Sequence, residues 1–406
     1  IKVIYFDNGS TTKISEPVYE KLCDFLKNNF ANPSSLHSIG FEAEKELIEA
    51  RKKVANALNV TPDEIYFTSG GTEANNTAVL GIAEAYKKRG NKVITSNIEH
   101  PSVADSFKEL EARGFEVVTL NADEKGYINL EELEREVDEN TILVSIMYVN
   151  NEVGTVQPIE KIAEIIKSKN KNCIFHTDCV QAFGKHPING KHFDAISVSG
   201  HKIHCPKGVG VLYLRKGVRA KNLHFGGGQE KGFRPGTENT GSIVAMGLGA
   251  EIAKRDLEKN FEKVKDRIEY PKRKDFTDGE LAVAYAVDNG YEDIVLIAMT
   301  GDRFDHSIAD ILLLEKCKNG VLIDDNNEIY LLKDKLSLNG KTGQTLSIIP
   351  IKDNAVGITT DGLEYPLNDE TLYFGSSRGI SNIMLADKCN ITIKSGMALV
   401  IKVERV

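Results

Sequence analysis

Residues 64–76, EIYFTSGGTEANN, run from a short apolar strand through a glycine turn into a helix. Glu64 to Thr68 is strand-like, and in Ser69-Gly70-Gly71-Thr72 the glycines permit close backbone approach while the free N–H groups of a helix start face outward to an anion. Taken alone, this turn fits a plain connection as well as a phosphate cradle. Working outward, Glu42 to Leu58 repeats apolar residues at helical spacing before the turn. After it, Lys92 to Thr95, Glu116 to Leu120 and Ile142 to Tyr148 read as strands, alternating with helical patterns over Ser102 to Arg113, Leu130 to Val137 and Ile159 to Lys167. Such alternation predicts a mainly parallel sheet with helices on both faces and ligands at the carboxyl ends of its strands.

Two more strand ends carry chemistry. Phe175-His176-Thr177-Asp178-Cys179-Val180-Gln181 closes an apolar strand on an acid. A buried carboxylate costs several kcal/mol unless it finds a cation, and a protonated pyridine nitrogen is such a partner. Ser197 to Lys202 closes the next strand on a lysine, which desolvation can make nucleophilic enough for a Schiff base, although a solvated lysine is the commoner case. The order of phosphate turn, acid and lysine is what raises the reading above its parts.

The chain has 406 residues, 41% hydrophobic and 27% charged, with a net charge of -8, so it is long enough for two domains and ill suited to a nucleic-acid surface. No apolar run reaches membrane-helix length and Ile1 to Phe6 lacks a signal-peptide layout, which predicts a cytoplasmic protein without a membrane partner. The six cysteines, Cys23, Cys173, Cys179, Cys205, Cys317 and Cys389, form no metal-ligand spacing, and most of them are expected as buried small hydrophobes.

Near Glu269 and Tyr270 the pattern switches. Phe261 to Lys274 is charged and helical, Phe276 to Asn289 predicts another helix, and Ile294 to Thr300 a buried strand. Beyond Gly320 only short strands follow, over Val321 to Ile323, Glu328 to Leu332, Thr345 to Ile351, Ala355 to Thr359, Thr371 to Phe374, Asn390 to Ile393 and Met397 to Val403. The acidic clusters of Lys274 to Asp278 and Thr300 to His306 could hold Mg²⁺ on a nucleotide phosphate chain, or serve as a helix cap at Asp275 or Thr277 and a surface pair of Arg303 with Asp305.

The runs Tyr5 to Thr12, Ala31 to His37, Thr68 to Asn76, Glu99-His100-Pro101, Asn150 to Gly154, His176 to Gln181, Ser199 to Gly208 and Gly226 to Asn239 resemble, in order, the class V aminotransferase-fold cysteine desulfurases of the NifS and IscS kind. The resemblance covers about residues 1–268. It implies a fold type I pyridoxal 5'-phosphate domain acting on L-cysteine, with sulfur destined for iron–sulfur or thio-cofactor assembly through a scaffold protein. Lys202 would carry the cofactor, His100 stack on its ring and assist proton transfer, Asp178 pair with the ring nitrogen and Gln181 with the phenolic oxygen. Asn151 would lie near that oxygen and the substrate carboxylate. Thr72, beside Gly71, with Ser199 and His201 would hold the phosphate, and Thr237 would reach the phosphate of a second subunit, implying a homodimer. The family's C-terminal small domain, with its reactive cysteine and carboxylate-clamping arginine, has no counterpart after Glu269. Cys317 and Cys389 lie in a different pattern, and Cys179 and Cys205 are expected to pack beside the cofactor motifs.

From about residue 270 to 406 the motifs KDFTD, GDRFDH, Leu346 to Pro350, Gly357 to Leu367 and Gly379 to Asn382 resemble thiamine pyrophosphokinases, which transfer a pyrophosphoryl group from ATP to thiamine. That resemblance makes Asp278 a magnesium ligand, sets Asp275, Arg303, Asp305 and His306 about the nucleotide, and brings Ser381 and Asn382 to thiamine. The family's front segment, with its acidic GDxDS motif, has no counterpart. The expected domains are 1–268, a pyridoxal-phosphate domain; 270–320, a partial kinase catalytic segment of α/β type; and 321–406, a small all-β sandwich. Two alternatives remain open at this point: a non-catalytic chimera that binds its ligands without turnover, and a lyase or aminotransferase without persulfide chemistry.

Overall fold

The computed structural model describes residues 7–267, 277–297, 299–300, 304–324 and 326–403, with backbone alone for 262–267 and 278. The chain divides into two compact units, Asp7–Glu269 and Tyr270–Val406.

In the first unit, α1 (Glu16–Asn28) and α2 (Ser38–Leu58) precede β1 (Ile65–Thr68) and α3 (Gly71–Tyr86). Then β2 (Lys92–Ser96), α4 (Pro101–Ala112), β3 (Glu116–Leu120), α5 (Leu130–Glu136), β4 (Thr141–Ser145), α6 (Ile159–Lys169) and β5 (Ile174–Asp178) alternate. The sheet is completed by β6 (Ala195–Ser199) and β7 (Gly210–Leu214), and α7 (Thr240–Arg267) follows. The strand order is β1-β7-β6-β5-β4-β2-β3. Strands β3, β2, β4, β5 and β6 run parallel, and β7 is antiparallel to both its neighbours. The runs KVITS, TILVS, IFHTD, AISVS and GVLYL are buried at every position, as strands covered on both faces must be.

Successive strand side chains point to opposite faces, so the sheet sorts its apolar residues into two cores. Val93, Leu143, Ile174 and Ala195 pack with α3 and α4, through residues such as Val79, Ile82 and Phe107. Their neighbours Ile94, Val144, Phe175 and Ile196 pack on the other face with α1, α2, α6 and α7, through residues such as Phe25, Val54, Ile162 and Ala245. The helix–strand alternation anticipated from residues 42–167 is therefore present, with most ends within a few residues. Of the charged helix expected over 261–274, residues to Arg267 continue α7 and the remainder lies outside the described residues.

The second unit contains α8 (Asp278–Asp288), β8 (Asp293–Ile297) and α9 (Phe304–Leu312). Strands β9 (Asn319–Ile323), β10 (Asn327–Leu332), β11 (Lys335–Asn339), β12 (Thr345–Asp361), β13 (Glu370–Leu372), β14 (Asn382–Ile383), β15 (Lys388–Thr392) and β16 (Ser395–Val403) follow. The parallel pair β8 and β9 continues through β10 and β16 into β12, so the boundary expected between residues 320 and 321 falls inside β9. The two strands expected over Thr345 to Ile351 and Ala355 to Thr359 are one strand, β12, whose register shifts between Ile351 and Val356. Lys352 sits there at φ 74°, the left-handed conformation of a bulge that turns a strand without ending it. Its first half pairs with β16 and β14, its second with β15 and β13. Strands β11 and β14 had no separate sequence signal; β14 has only two residues.

Among the described residues no helix is long and apolar enough to cross a membrane.

Candidate active site at the strand ends of the first unit

A cavity of about 550 Å³ opens where β5 and β6 end and α3 begins. Gly71 and Thr72 reach it from the first turn of α3, His100 from the start of α4, and Asp178 and Ser199 from the last positions of β5 and β6. Gln181, His201 and Lys202 reach it from the segments just beyond those strands, and Asn151 from the segment that follows β4. Sheet order explains the meeting: β4, β5 and β6 are parallel neighbours, so their carboxyl ends lie side by side.

Asp178 is 5% exposed, and its two oxygens are met by neutral donors. Oδ1 accepts from the Val180 N–H at 2.8 Å, and Oδ2 from the Asn75 side-chain amide at 2.7 Å. Burial pushes its pKa up; those two bonds and the nearby charges of His100 and Lys202 pull against it. Lys202 donates from Nζ to the carbonyls of Gly9 at 2.5 Å and Ser10 at 2.8 Å. Burial lowers its pKa, with Asp7 and Asp178 opposing, so the amine is biased toward the neutral, nucleophilic form. Gln181 donates from Nε2 to the Gly9 carbonyl at 2.9 Å, and its Oε1 accepts from Lys185 at 2.9 Å.

At the other wall, His100 is the N-cap of α4, and its Nδ1 accepts from the Ser102 N–H at 3.2 Å. Gly71 is a close-packing position, because a Cβ there would lie 2.9 Å from Val180 Cγ2. A second cavity of about 500 Å³ shares Asn151, Gln181 and Lys202 with the first and is lined further on by His186, Ile252 and Phe261.

A family model described as aminotransferase class-V matches residues 4–274. The chain belongs to the class V aminotransferase family. Among curated relatives of this class V protein, cysteine desulfurase IscS of Clostridium botulinum is 45% identical over 265 residues, covering 65% of this chain and 66% of the relative. Cysteine desulfurase IscS of Methanosarcina thermophila is 44% identical over 272 residues, covering 66% of this chain and 67% of the relative. The chain thus spans about two thirds of the length of the curated relatives it matches. A solved structure titled NifS-like protein superposes with a TM-score of 0.64 at 42% identity, over 71% of this chain and 76% of that one. Another, titled SspA in complex with cysteine, gives 0.59 at 37% identity, over 65% and 77%.

The class V chain also carries two matches to a second family. Models described as thiamin pyrophosphokinase, catalytic domain, and thiamin pyrophosphokinase, vitamin B1 binding domain, match residues 251–325 and 333–398. The first begins inside α7, ahead of the residue 270 expected from the motifs, and overlaps the class V match over 251–274.

Of the class V residues expected at the cofactor, Thr237 alone does not line the cavity. It is exposed on the glycine-rich loop. The cavity wall also contains Asp7, Asn75, Ser102 and Met147, to which the motifs assigned no role. Asn75 was discoverable, since it follows Gly71 by four residues and so shares its helix face. Five cysteines are buried, and Cys23 is exposed on α1, whose buried positions are Val18 and Phe25. Burial pushes the Cys179 thiol well above its ordinary range and that of Cys205 to about 12, so neither is a ready thiolate.

In the second unit, Asp275 and Arg303 lie outside the described residues, as does the side chain of Asp278, which begins α8. Asp305 and His306 are exposed on the first turn of α9. Asn382 clasps the backbone of Tyr365, accepting at 3.0 Å and donating at 2.8 Å, so its amide is engaged within the fold. Ser381 adopts φ 62°, and its N–H donates to Ser347 Oγ at 3.0 Å.

Proposed function

We propose that the first unit binds pyridoxal 5'-phosphate at this cavity and uses it to act on L-cysteine. The observation that carries the reading is a buried Asp178 carboxylate facing the same cavity as the Lys202 amine and the first turn of α3. The residues fit the group chemically. A buried carboxylate whose direct partners among the described residues are the neutral Asn75 and Val180 suits a cationic ring nitrogen, and a glycine turn at a helix start suits a phosphate. When bound, the cofactor supplies the electron sink that lets an amino acid lose its Cα proton.

The chain's residues then have these parts. Lys202 would hold the cofactor covalently, and burial, by lowering its pKa, favours the neutral amine that such a bond requires. Asp178 keeps the ring nitrogen protonated. Gln181 directs its amide N–H to the phenolic oxygen because Lys185 occupies its Oε1. Thr72, Ser199 and His201 hold the phosphate, Asn151 orients the substrate, and Thr237 serves the cavity of a second copy in a homodimer. The names of the IscS relatives support cysteine as substrate and removal of its sulfur as the reaction. No described cysteine lines the cavity, so the sulfur acceptor in this reading is a thiol outside it or a partner scaffold protein.

Purified protein given pyridoxal phosphate should acquire the visible absorbance of a lysine-bound cofactor, and Lys202→Ala should lose it. Product analysis with L-cysteine separates alanine, the desulfurase product, from pyruvate, the product of elimination. Absence of the absorbance in the unaltered protein overturns the reading. For the second unit we propose thiamine binding, supported by the match to the vitamin B1 binding domain; calorimetric titration with thiamine tests it, and with Mg²⁺ and ATP it tests the nucleotide site.

A further inference from the structure

Asp178 and His100 are joined by a chain of hydrogen bonds with only one consistent direction. Asn75, 1% exposed, has two amide hydrogens and spends both: one on Asp178 Oδ2 at 2.7 Å, the other on Ser102 Oγ at 2.9 Å. Its Oδ1 is buried without a hydrogen-bond partner among the described residues. Reversing the amide would bring that oxygen against the Asp178 carboxylate, acceptor to acceptor, so an ionised Asp178 dictates which way Asn75 faces. Ser102, already accepting from Asn75, keeps its own hydroxyl hydrogen to give, and His100 Nδ1 lies 2.8 Å away. The Ser102 N–H points to the same nitrogen at 3.2 Å. Asn76 pins the Ser102 carbonyl at 3.0 Å, which fixes this first turn of α4 against α3.

We propose that Asn75 and Ser102 are positioning residues that set the tautomer of His100, so that the neutral ring presents an Nε2–H donor, and not a lone pair, to the cavity. Two donors converge on Nδ1, which must then be the unprotonated nitrogen. The proton resides on Nε2, which has no hydrogen-bond partner among the described residues. The inference deepens the proposed function, resting on it for what His100 meets in the cavity. In that setting the neutral imidazole donates a hydrogen bond to an electron-rich atom of cofactor or substrate and cannot take a proton at Nε2. The charge on Asp178 is thus expressed at His100 through two neutral side chains. A reason follows for the unpaired Asn75 Oδ1: the amide faces away from its best self-satisfaction because Asp178 requires a donor.

The test uses the full chain without cofactor, labelled with ¹⁵N-histidine, at about pH 9, well above the imidazole pKa of about 6.5. The His100 signals are identified by their loss in His100→Gln. The expected spectrum has a protonated Nε2 and a pyridine-type Nδ1. Ser102→Ala should convert that single form to a mixture of tautomers, and Ser102→Thr, which keeps the hydroxyl, should restore it. Asn75→Leu, which leaves the Ser102 hydroxyl free to turn, should give an intermediate mixture. A protonated Nδ1 in the unaltered protein overturns the proposal, whatever becomes of the variants, and so does an unchanged tautomer in a folded Ser102→Ala. Because no cofactor is present, failure of the tautomer prediction is distinct from failure to bind pyridoxal phosphate, which is read separately by absorbance.

Discussion

Arg234 grips the carboxylate of Glu73 with two hydrogen bonds, Nε to Oε1 at 2.8 Å and Nη2 to Oε2 at 3.1 Å. Ser69 adds its N–H to Oε2 at 2.8 Å, so the glycine-rich loop that carries Arg234 is tied directly to the phosphate turn. Arg51 makes a comparable two-point bond to Glu230 further back on that loop, at 2.9 and 2.6 Å. Burial works to raise the Glu73 pKa, but the bonds from Arg234 and Ser69 outweigh it and hold the carboxyl at about 2. A depressed carboxyl contributes stability above its unfolded pKa near 4.5 that is lost as pH falls through about 2. Glu73→Gln should cost about 1–3 kcal/mol at neutral pH, read from urea unfolding, with the difference from the unaltered protein shrinking toward pH 2. An undiminished difference in acid would show that the ion pair is not its source.

Glu99 titrates the opposite way. Its Oε1 accepts from Ser96 Oγ at 2.6 Å and the Met147 N–H at 2.9 Å, while its Oε2 has no hydrogen-bond partner among the described residues. Burial pushes its pKa up to about 8, with the two bonds opposing and the Asp178 charge reinforcing the rise. Its contribution is fully present below the unfolded pKa of about 4.5 and is lost as pH rises through about 8. Glu99→Gln keeps an acceptor for Ser96 and Met147 and cannot ionise. The variant should gain stability relative to the unaltered protein between pH 5 and 9, on the order of 2–4 kcal/mol at the alkaline end. Parallel stability curves for the two proteins would contradict this.

Gly210 opens β7 opposite Thr68, and a Cβ at that position would lie 2.6 Å from both the Cα and the carbonyl carbon of Gly70. The obstacle is backbone, which has no rotamer to yield. Gly210→Ala should therefore shift the turn before α3, destabilise by about 1–3 kcal/mol, and weaken pyridoxal-phosphate binding at least tenfold by absorbance titration. Retained affinity would mean that the turn does not hold the phosphate.

Thiol reactivity separates Cys23 from the others. It is exposed on α1, whereas Cys173, Cys179, Cys205, Cys317 and Cys389 are buried. Brief treatment of the native protein with iodoacetamide should label Cys23 alone, as read by mass spectrometry of its peptides, and denaturation should open all six. Rapid native labelling of Cys179 would reveal an accessible thiol beside the cofactor cavity.

Local sequence carried much of the first unit because its information is local. Largely apolar runs such as Ile142 to Tyr148 mark strands covered on both faces, and the acid and lysine stand at strand ends where a parallel sheet delivers them to one edge. Which cysteine would be the exposed one was not legible, because residue type alone does not reveal helix phase. The continuity of β8 through β12 was hidden because a bulge at Lys352 and a pairing between β8 and β9 are decided by neighbours across the sheet.

The sequence by itself determined the alternating elements and the glycine turn, which rest on periodicity and on residues a few positions apart, and its ordered motifs, with Thr72, His100, Asp178 and Lys202 among them, carry the resemblance to the class V family. Only the tertiary structure decided that Asn75 serves Asp178, 103 residues away, that Arg234 answers Glu73 across 161, and that Glu99 is buried beside a second acid. Those partners depend on which strands become neighbours. Hydrogen bonding and desolvation act over a few ångströms of space, and the chain between two such residues carries no record of that distance.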